Sequence, residues 1–409
     1  MKTKNVLQIL MLSGVLIFSS CSKNSSTPAV LGCTDPCSVD YNADADTDDG
    51  SCTYGYISMF TDPTDTVNNS STVYFGGQTA RLHMVGEMMS AMNDETTDLN
   101  TLNEMFNNNG YLWASAEAAA SSKDLYGKTV DEGGRILAAM ASFANEVAPA
   151  VLAGDVASAG VAGSLTAINP DGSEGRTVKV NAQGMELNQV FAKCLIGGLC
   201  LDQIVNKYLG TTKMDVENTN RPGYTTMEHH FDEAYGYLYG LDCSGMGNTL
   251  VANDVLLNKY LGKVNDDQSA LGQNGIEDQI YNAFRDGRAA IQAEDDVTRD
   301  AKAVIISELI SKVVAVKAIQ YLEDAAAGLS LDPNTGEYVI TPDYIHDLSE
   351  GYGFIYSLQF TLVNGVPYLD AGQVDAHLAT LNNGNGFWDR TPTDLMNIAN
   401  DIRQKANLQ

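Results

Sequence analysis

Residues 229–240 read HHFDEAYGYLYG, and residues 346–357 read HDLSEGYGFIYS. Aligned without gaps, the two stretches share five of twelve positions: His229/His346, Glu233/Glu350, Tyr235/Tyr352, Gly236/Gly353 and Tyr239/Tyr356. Tyr237 also faces Phe354. A second echo lies nearby, IVNKYLG at 204–210 and LLNKYLG at 256–262. Matches that include His, of which the chain has only five, point to an internal duplication, and hence to two related helical halves.

Helical geometry gives the repeat a chemical meaning. At about 100° per residue, offsets of 0, 4, 7 and 11 fall in one narrow stripe. In the first copy that stripe is His229, Glu233, Gly236 and Gly240; in the second it is His346, Glu350, Gly353 and Ser357. Each helix then shows an imidazole and a carboxylate one turn apart, followed by small residues that permit close helix approach. If the copies face each other, two imidazoles and two carboxylates suit a borderline transition metal such as iron or zinc, held between helices of a bundle. The same residues suit a packing role in which each buried His hydrogen-bonds its Glu and fixes the helix pairing. The repeat tyrosines fit a core, or a supply of hydroxyls to that network. Glu228, His230 and Asp232 lie off the stripe and read as solvated.

The rest of the chain after about residue 71 carries mainly helical signals. Residues 78–92 form a first helix, and 184–209 carry a long apolar pattern ending in KYLG. Thr225 and Glu228 make a capping box for a helix through Tyr239. Residues 297–327 read as one long, largely buried helix, while Thr341–Pro342 and Thr391–Pro392 are matching N-cap plus proline starts. EYVITPD, after the turn DPNTG, fits a short strand or an extended connector. With ten prolines and alanine-rich helices, the expected fold is all-α, a duplicated helical bundle over residues 72–409.

At the other end the chain begins MKTKNVLQILMLSGVLIFSS and then Cys21. The apolar run is too short to span a bilayer comfortably, so residues 1–20 read as a signal peptide. Ser19, Ser20 and Cys21 form a lipobox, with lipid on Cys21 as a membrane anchor, 21–31 as a polar tether and the cell envelope as the expected location. An ordinary signal peptide followed by an unrelated cysteine is the other reading. No later run reads as long and apolar enough to cross a membrane. The formal charge is −28, from 24 basic and 52 acidic residues, and loss of Lys2 and Lys4 with the signal peptide makes it −30. Such a surface excludes nucleic acid as a partner and attracts cations. Export makes disulfides possible for Cys33, Cys37, Cys52, Cys194, Cys200 and Cys243, but three of these share one short segment and spacing leaves the connectivity open.

That segment, residues 32–54, reads GCTDPCSVDYNADADTDDGSCTY. Asp40, Asn42, Asp44, Asp46, Asp48 and Asp49 alternate with small residues, as ligands do in a loop that gathers oxygens around Ca²⁺. It departs from an EF-hand, because no bidentate Glu stands at the expected offset and no helices flank it. A flexible, solvated acidic spacer fits the same composition. Residues 55–71 read as a linker into the bundle.

These motifs carry two resemblances. HHFDEAYGYLYG, HDLSEGYGFIYS and GGQTARLHMVGEM, over roughly residues 72–405, resemble an uncharacterised Bacteroidetes lipoprotein family, a domain of unknown function. That family is in turn similar to imelysin-type proteins, which implies a two-lobed helical bundle and a link to iron uptake. In imelysin-type proteins the His and Glu stand three apart after a glycine element; here His229 and Glu233 stand four apart and the glycine is missing. Residues 32–54 resemble the Asp-rich cysteine modules of surface and secreted Bacteroidetes proteins, which implies a Cys33–Cys52 disulfide closing the loop; Cys37 lies outside that two-cysteine pattern.

No HExxH, GxSxG, P-loop or dinucleotide-binding glycine fingerprint occurs. The Glu233/Glu350 pair is the one conceivable acid–base device, and nothing marks a substrate cleft for it. The sequence therefore leads to a lipid-anchored, non-enzymatic envelope protein that binds a metal ion or metal-bearing ligand between two helical halves. Its alternative is a structural or interaction lipoprotein whose repeat only packs the bundle.

Overall fold

A computed structural model describes residues 29–34, 42–49, 51, 55–62, 64–65, 70–219, 223–241 and 256–408. The signal peptide, Cys21, Cys37, Asp40, Cys52 and Cys243 lie outside the described residues. The chain is mainly helical, and the bundle is organised around one helix. Leu187–Leu195 is α-helical and continues directly as a π-helix, Ile196–Tyr208. Its apolar pattern runs all round the helix, so it is buried on every side: Phe191, Leu195, Leu199 and Ile204 are all fully covered.

Pro342–Ser357 packs along the α-helical half of this axis, and Thr226–Tyr239 packs along the π-helical half. The long helix Asp296–Gly328 runs against Pro342–Ser357, Ile276–Gln292 and Pro392–Lys405, while Gly76–Ala91 covers Thr226–Tyr239. Cap chemistry fixes where these helices begin. Thr225/Glu228 and Thr391/Asp394 each close a capping box, and Thr341 accepts from Tyr344 N ahead of Pro342. Each such cap contributes about 1 kcal/mol and sets the register of its helix.

The small residues of the repeat do permit close approach, but to other helices than expected. A Cβ on Gly353 would overlap Lys193 Cβ and lie 2.9 Å from Cys194 N, so Pro342–Ser357 presses on the central axis. On Gly236 it would overlap Phe75 Cβ and lie 3.0 Å from Gln78 Cβ, so Thr226–Tyr239 presses on the segment that opens Gly76–Ala91. The two repeat helices thus flank one axis at successive levels and do not pack face to face.

Three further features depart from the sequence expectation. Gly163–Ile168 and Glu174–Val180 form an antiparallel hairpin, turned by Asp171 accepting from Ser173 N and by Gly172 at φ +83°. The Pro-Asp-Gly punctuation at 170–172 and the T-V-K-V alternation carry that signal. Residues 55–71 are more than a linker. Tyr56 and Phe60 belong to the core, and the Tyr56 ring stacks on Tyr235 at 3.9 Å. Finally, Glu132–Ala153 is long and apolar enough to cross a membrane by length and composition. Its buried residues, Ile136, Ala139, Met140, Phe143 and Val147, recur at helical spacing, the stripe of a core helix. Ser330–Leu331 and Tyr338–Val339 pair as a short hairpin before Thr341, so of the two readings of EYVITPD the short strand is the one that forms.

Candidate functional site

The second repeat copy builds the more elaborate site. Close contact at Gly353 draws Lys193 under the Pro342–Ser357 helix, where its Nζ lies 2.8 Å from Glu350 Oε1. Both side chains are almost wholly buried. Burial alone would raise the Glu350 carboxyl; the Lys193 ammonium, aided by a hydrogen bond from Tyr321, outweighs it and holds the group down at about 2. One turn earlier, His346 has a carboxylate on each ring nitrogen. Its Nδ1 donates to Glu186 Oε2 at 2.7 Å, and its Nε2 lies 3.5 Å from Glu350 Oε1. Tyr260 OH sits 3.4 Å from both Glu350 oxygens.

Beside His346 and Glu350 opens a cleft of about 360 Å³, lined also by Arg176, Lys259, Lys263 and Asp347. The Nζ atoms of Lys193, Lys263 and Lys317 lie 5.6, 5.2 and 5.9 Å from the centre of the Tyr260 ring. Lys317 is buried, donates to Gln320 Oε1 at 2.8 Å, and forms no carboxylate salt bridge among the described residues. Burial first, then the nearby Lys263 charge, pushes its ammonium down to about 8. Three cationic side chains thus line the cleft and two more, Lys193 and Lys317, lie around the Tyr260 ring, in a protein that has only 24 lysines and arginines and a net charge of −28; Arg176 pairs with Asp343 at 2.9 Å.

The first copy uses similar parts on other helices. His229 Nε2 lies 3.9 Å from Glu233 Oε2. Glu233 Oε1 accepts from Gln78 Nε2 at 2.9 Å and from Tyr208 OH at 3.1 Å. The His229 ring lies between Tyr74 and Tyr224, with centroids 5.9 and 5.0 Å away, and its Nδ1 is buried without a hydrogen-bond partner among the described residues. Lys128 Nζ donates to Tyr208 OH at 3.1 Å.

The two His/Glu pairs are not brought together. They share no partner, and among the described residues no group of three or more His, Cys, Asp or Glu is placed to hold a metal. The expected four-ligand site of His229, Glu233, His346 and Glu350 does not form, because each pair faces its own end of the central axis. The repeat tyrosines of the second copy bond elsewhere than to its carboxylate: Tyr352 OH accepts from Arg135 Nη1 at 3.3 Å, and Tyr356 OH donates to Val130 O at 3.1 Å. Glu228 and Asp232, read as solvated, are fully buried around the equally buried Arg288. Arg288 lies 2.6 Å from Glu228 Oε1 and 3.0 Å from Asp232 Oδ1, and Tyr56 OH donates to the same Asp232 oxygen.

In the acidic segment, Leu31–Gly32 and Thr47–Asp48 pair as short parallel strands. Its side chains serve local turns: Asn42 Oδ1 accepts from Asp44 N, Asp46 Oδ1 from Val30 N, and Asp49 Oδ1 from Ser51 N. Asp44, Asp46 and Asp49 are otherwise exposed. Cys33 is disulfide-bonded, and Cys194 and Cys200 are buried free thiols.

Sequence reasoning missed Glu186, Lys193, Tyr208, Tyr260, Lys263 and Lys317 as site residues. A signal existed for two of them, since Tyr208 and Tyr260 occupy the same position of the NKYLG echo. For the lysines the available signal was their scarcity.

Residues 65–409 match the model of one protein family, described as Domain of unknown function (DUF4856), and the chain belongs to that family. No curated protein and no solved structure matches it.

Proposed function

We propose that this member of the DUF4856 family is a non-enzymatic ligand-binding protein, held at the cell envelope by lipid on Cys21, whose ligand is a small oxyanion seated in the His346–Glu350 cleft. The observation that carries the reading is that Arg176, Lys259 and Lys263 line one cleft of a strongly acidic protein, with Lys193 and Lys317 close by at the Tyr260 ring; of these, Arg176 is paired with Asp343 at 2.9 Å and Lys193 with Glu350. Lysines that only served solubility would be dispersed over the surface. Of the two buried ammonium groups near the Tyr260 ring only Lys193 has its carboxylate, and like charges held near one another in the interior repel. An arriving carboxylate or phosphate relieves that repulsion, and Lys263 offers an exposed first contact.

A bare cation is disfavoured by the same charges. The expectation of a metal survives in one form, an ion carried inside an anionic chelate. The duplicated His–Glu motif and the resemblance to imelysin-type proteins support two related halves. A second reading, a purely packing role, is favoured by the satisfied state of Glu233 and Glu350, each of which already accepts a tyrosine hydroxyl.

Thermal melting of the full lipidated chain in detergent separates these readings. Titration with citrate, inorganic phosphate, ferric citrate and Zn²⁺ should raise the melting temperature with one or more oxyanions, by about 2.7 kcal/mol of stability at a hundredfold excess over Kd. A rise with Zn²⁺ alone would return the site to a metal, and no rise with any probe would support packing only.

A further inference from the structure

The His229–Glu233 end repeats the chemistry of the cleft in detail. The NKYLG echo supplies Tyr208 to one end and Tyr260 to the other, and each hydroxyl meets the glutamate of its own repeat copy, at 3.1 and 3.4 Å. Ammonium groups stand over both rings: Lys128 and Lys213 lie 5.2 and 5.9 Å from the Tyr208 centre, as Lys193, Lys263 and Lys317 lie around Tyr260. A packing device would need the tyrosine–glutamate bond alone. The lysines are a second shared property, and they come from segments outside both echoes, Lys263 excepted, which directly succeeds the second.

Charge at this end is out of balance. Arg81 is buried, and among the described residues its guanidinium is bonded only to the backbone oxygens of Asp124 and Gly77, at 2.7 and 3.2 Å. Lys213 Nζ lies 3.4 Å from His230 Nε2, whose ring donates from Nδ1 to Lys213 O. Among the described residues neither these two cations nor Lys123 nor Lys128 forms a salt bridge with a carboxylate. Glu233 sits on the Tyr208 hydroxyl that Lys128 also meets. Burial, followed by repulsion from Arg81, lowers the Lys128 ammonium, as expected where like charges crowd. A cavity of about 530 Å³ runs along residues 73–79, lined by Lys123, Glu117 and Tyr74, the ring that stacks on His229; Lys128, Lys213, Tyr208 and Glu233 are not among its lining residues.

We propose that the His229–Glu233 end is a second binding station for the same class of small, multiply charged oxyanion, held by Lys128, Lys213 and Lys123 beside the Glu233–Tyr208 pair. This rests on the reading of the His346 cleft as an oxyanion site, and it adds that the duplicated protein carries two equivalents of cargo. Isothermal titration of citrate, and separately of inorganic phosphate, into the full chain in detergent tests it. Two equivalents are expected for the wild type. Lys128→Ala/Lys213→Ala should remove one equivalent or weaken it about tenfold or more, while Lys128→Arg/Lys213→Arg retains two. Lys263→Ala/Lys317→Met should remove the other. A single equivalent that vanishes in Lys263→Ala/Lys317→Met and is untouched in Lys128→Ala/Lys213→Ala overturns the second station and leaves the first standing. No binding of either anion overturns both. An unchanged melting temperature of the Lys128→Ala/Lys213→Ala protein separates lost binding from lost folding.

Discussion

Lys317 is the residue whose presence most needs explaining. It is 7% exposed, and burial pushes its ammonium down to about 8. A lysine depressed in the folded state opposes folding wherever it must be charged. The penalty is complete below about pH 8 and is relieved as pH rises from there to the ordinary lysine value of 10.5. At pH 7 it is on the order of 3 kcal/mol. Lys317→Met should therefore raise the melting temperature at pH 7 while abolishing or weakening oxyanion binding, and the gain over wild type should shrink between pH 8 and 10.5. A variant that melts lower than wild type at pH 7 would mean that Lys317 stabilises the fold. Lys193 differs, because its charge is matched by Glu350 in the interior. Removing one partner of such a pair costs about 3–5 kcal/mol.

Between elements, the decisive contacts are made by the glycines of the repeat. Gly353 lets Pro342–Ser357 reach Lys193 and Cys194, and that contact sets how Lys193 meets Glu350. Gly353→Ala should overpack this crossing and destabilise the protein by about 1–3 kcal/mol, measurable by denaturant unfolding. Gly262, with nothing near its Cβ, should accept alanine with far less effect. At this scale the sequence was informative. Helix starts at Thr225, Thr341 and Thr391 were legible because cap and proline chemistry is local. The stripe of His, Glu and small residues was legible from periodicity, yet the partner of each stripe was not. Periodicity says which face is buried and nothing about which helix covers it, so the two copies were expected to face each other when each faces the central axis or its neighbour. The hairpin at 163–180 escaped because its strands are half-exposed and only the short T-V-K-V end of the second one alternates.

Taken as a whole, the molecule concentrates opposite charges in different places. Its formal charge is −28, while Lys128 and Lys213 stand around Tyr208 and Lys193, Lys263 and Lys317 around Tyr260. Total charge was readable from composition and suggested a cation as cargo. Distribution was not readable, because Lys193, Lys263 and Lys317 are far apart in sequence and only the fold joins them. The same holds for Glu228, Asp232 and Arg288, whose buried cluster ties the Tyr56 segment to the bundle. An oxyanion in the His346–Glu350 cleft is the use we propose for this gathering of lysines in an acidic whole. Calorimetric titration of citrate into the full chain at pH 7, wild type beside Lys263→Ala/Lys317→Met, puts that cleft to the test. Saturable binding by the wild type is expected, with a loss of about tenfold or more at the cleft in the variant; no heat of binding, or equal affinity in both proteins, would contradict it.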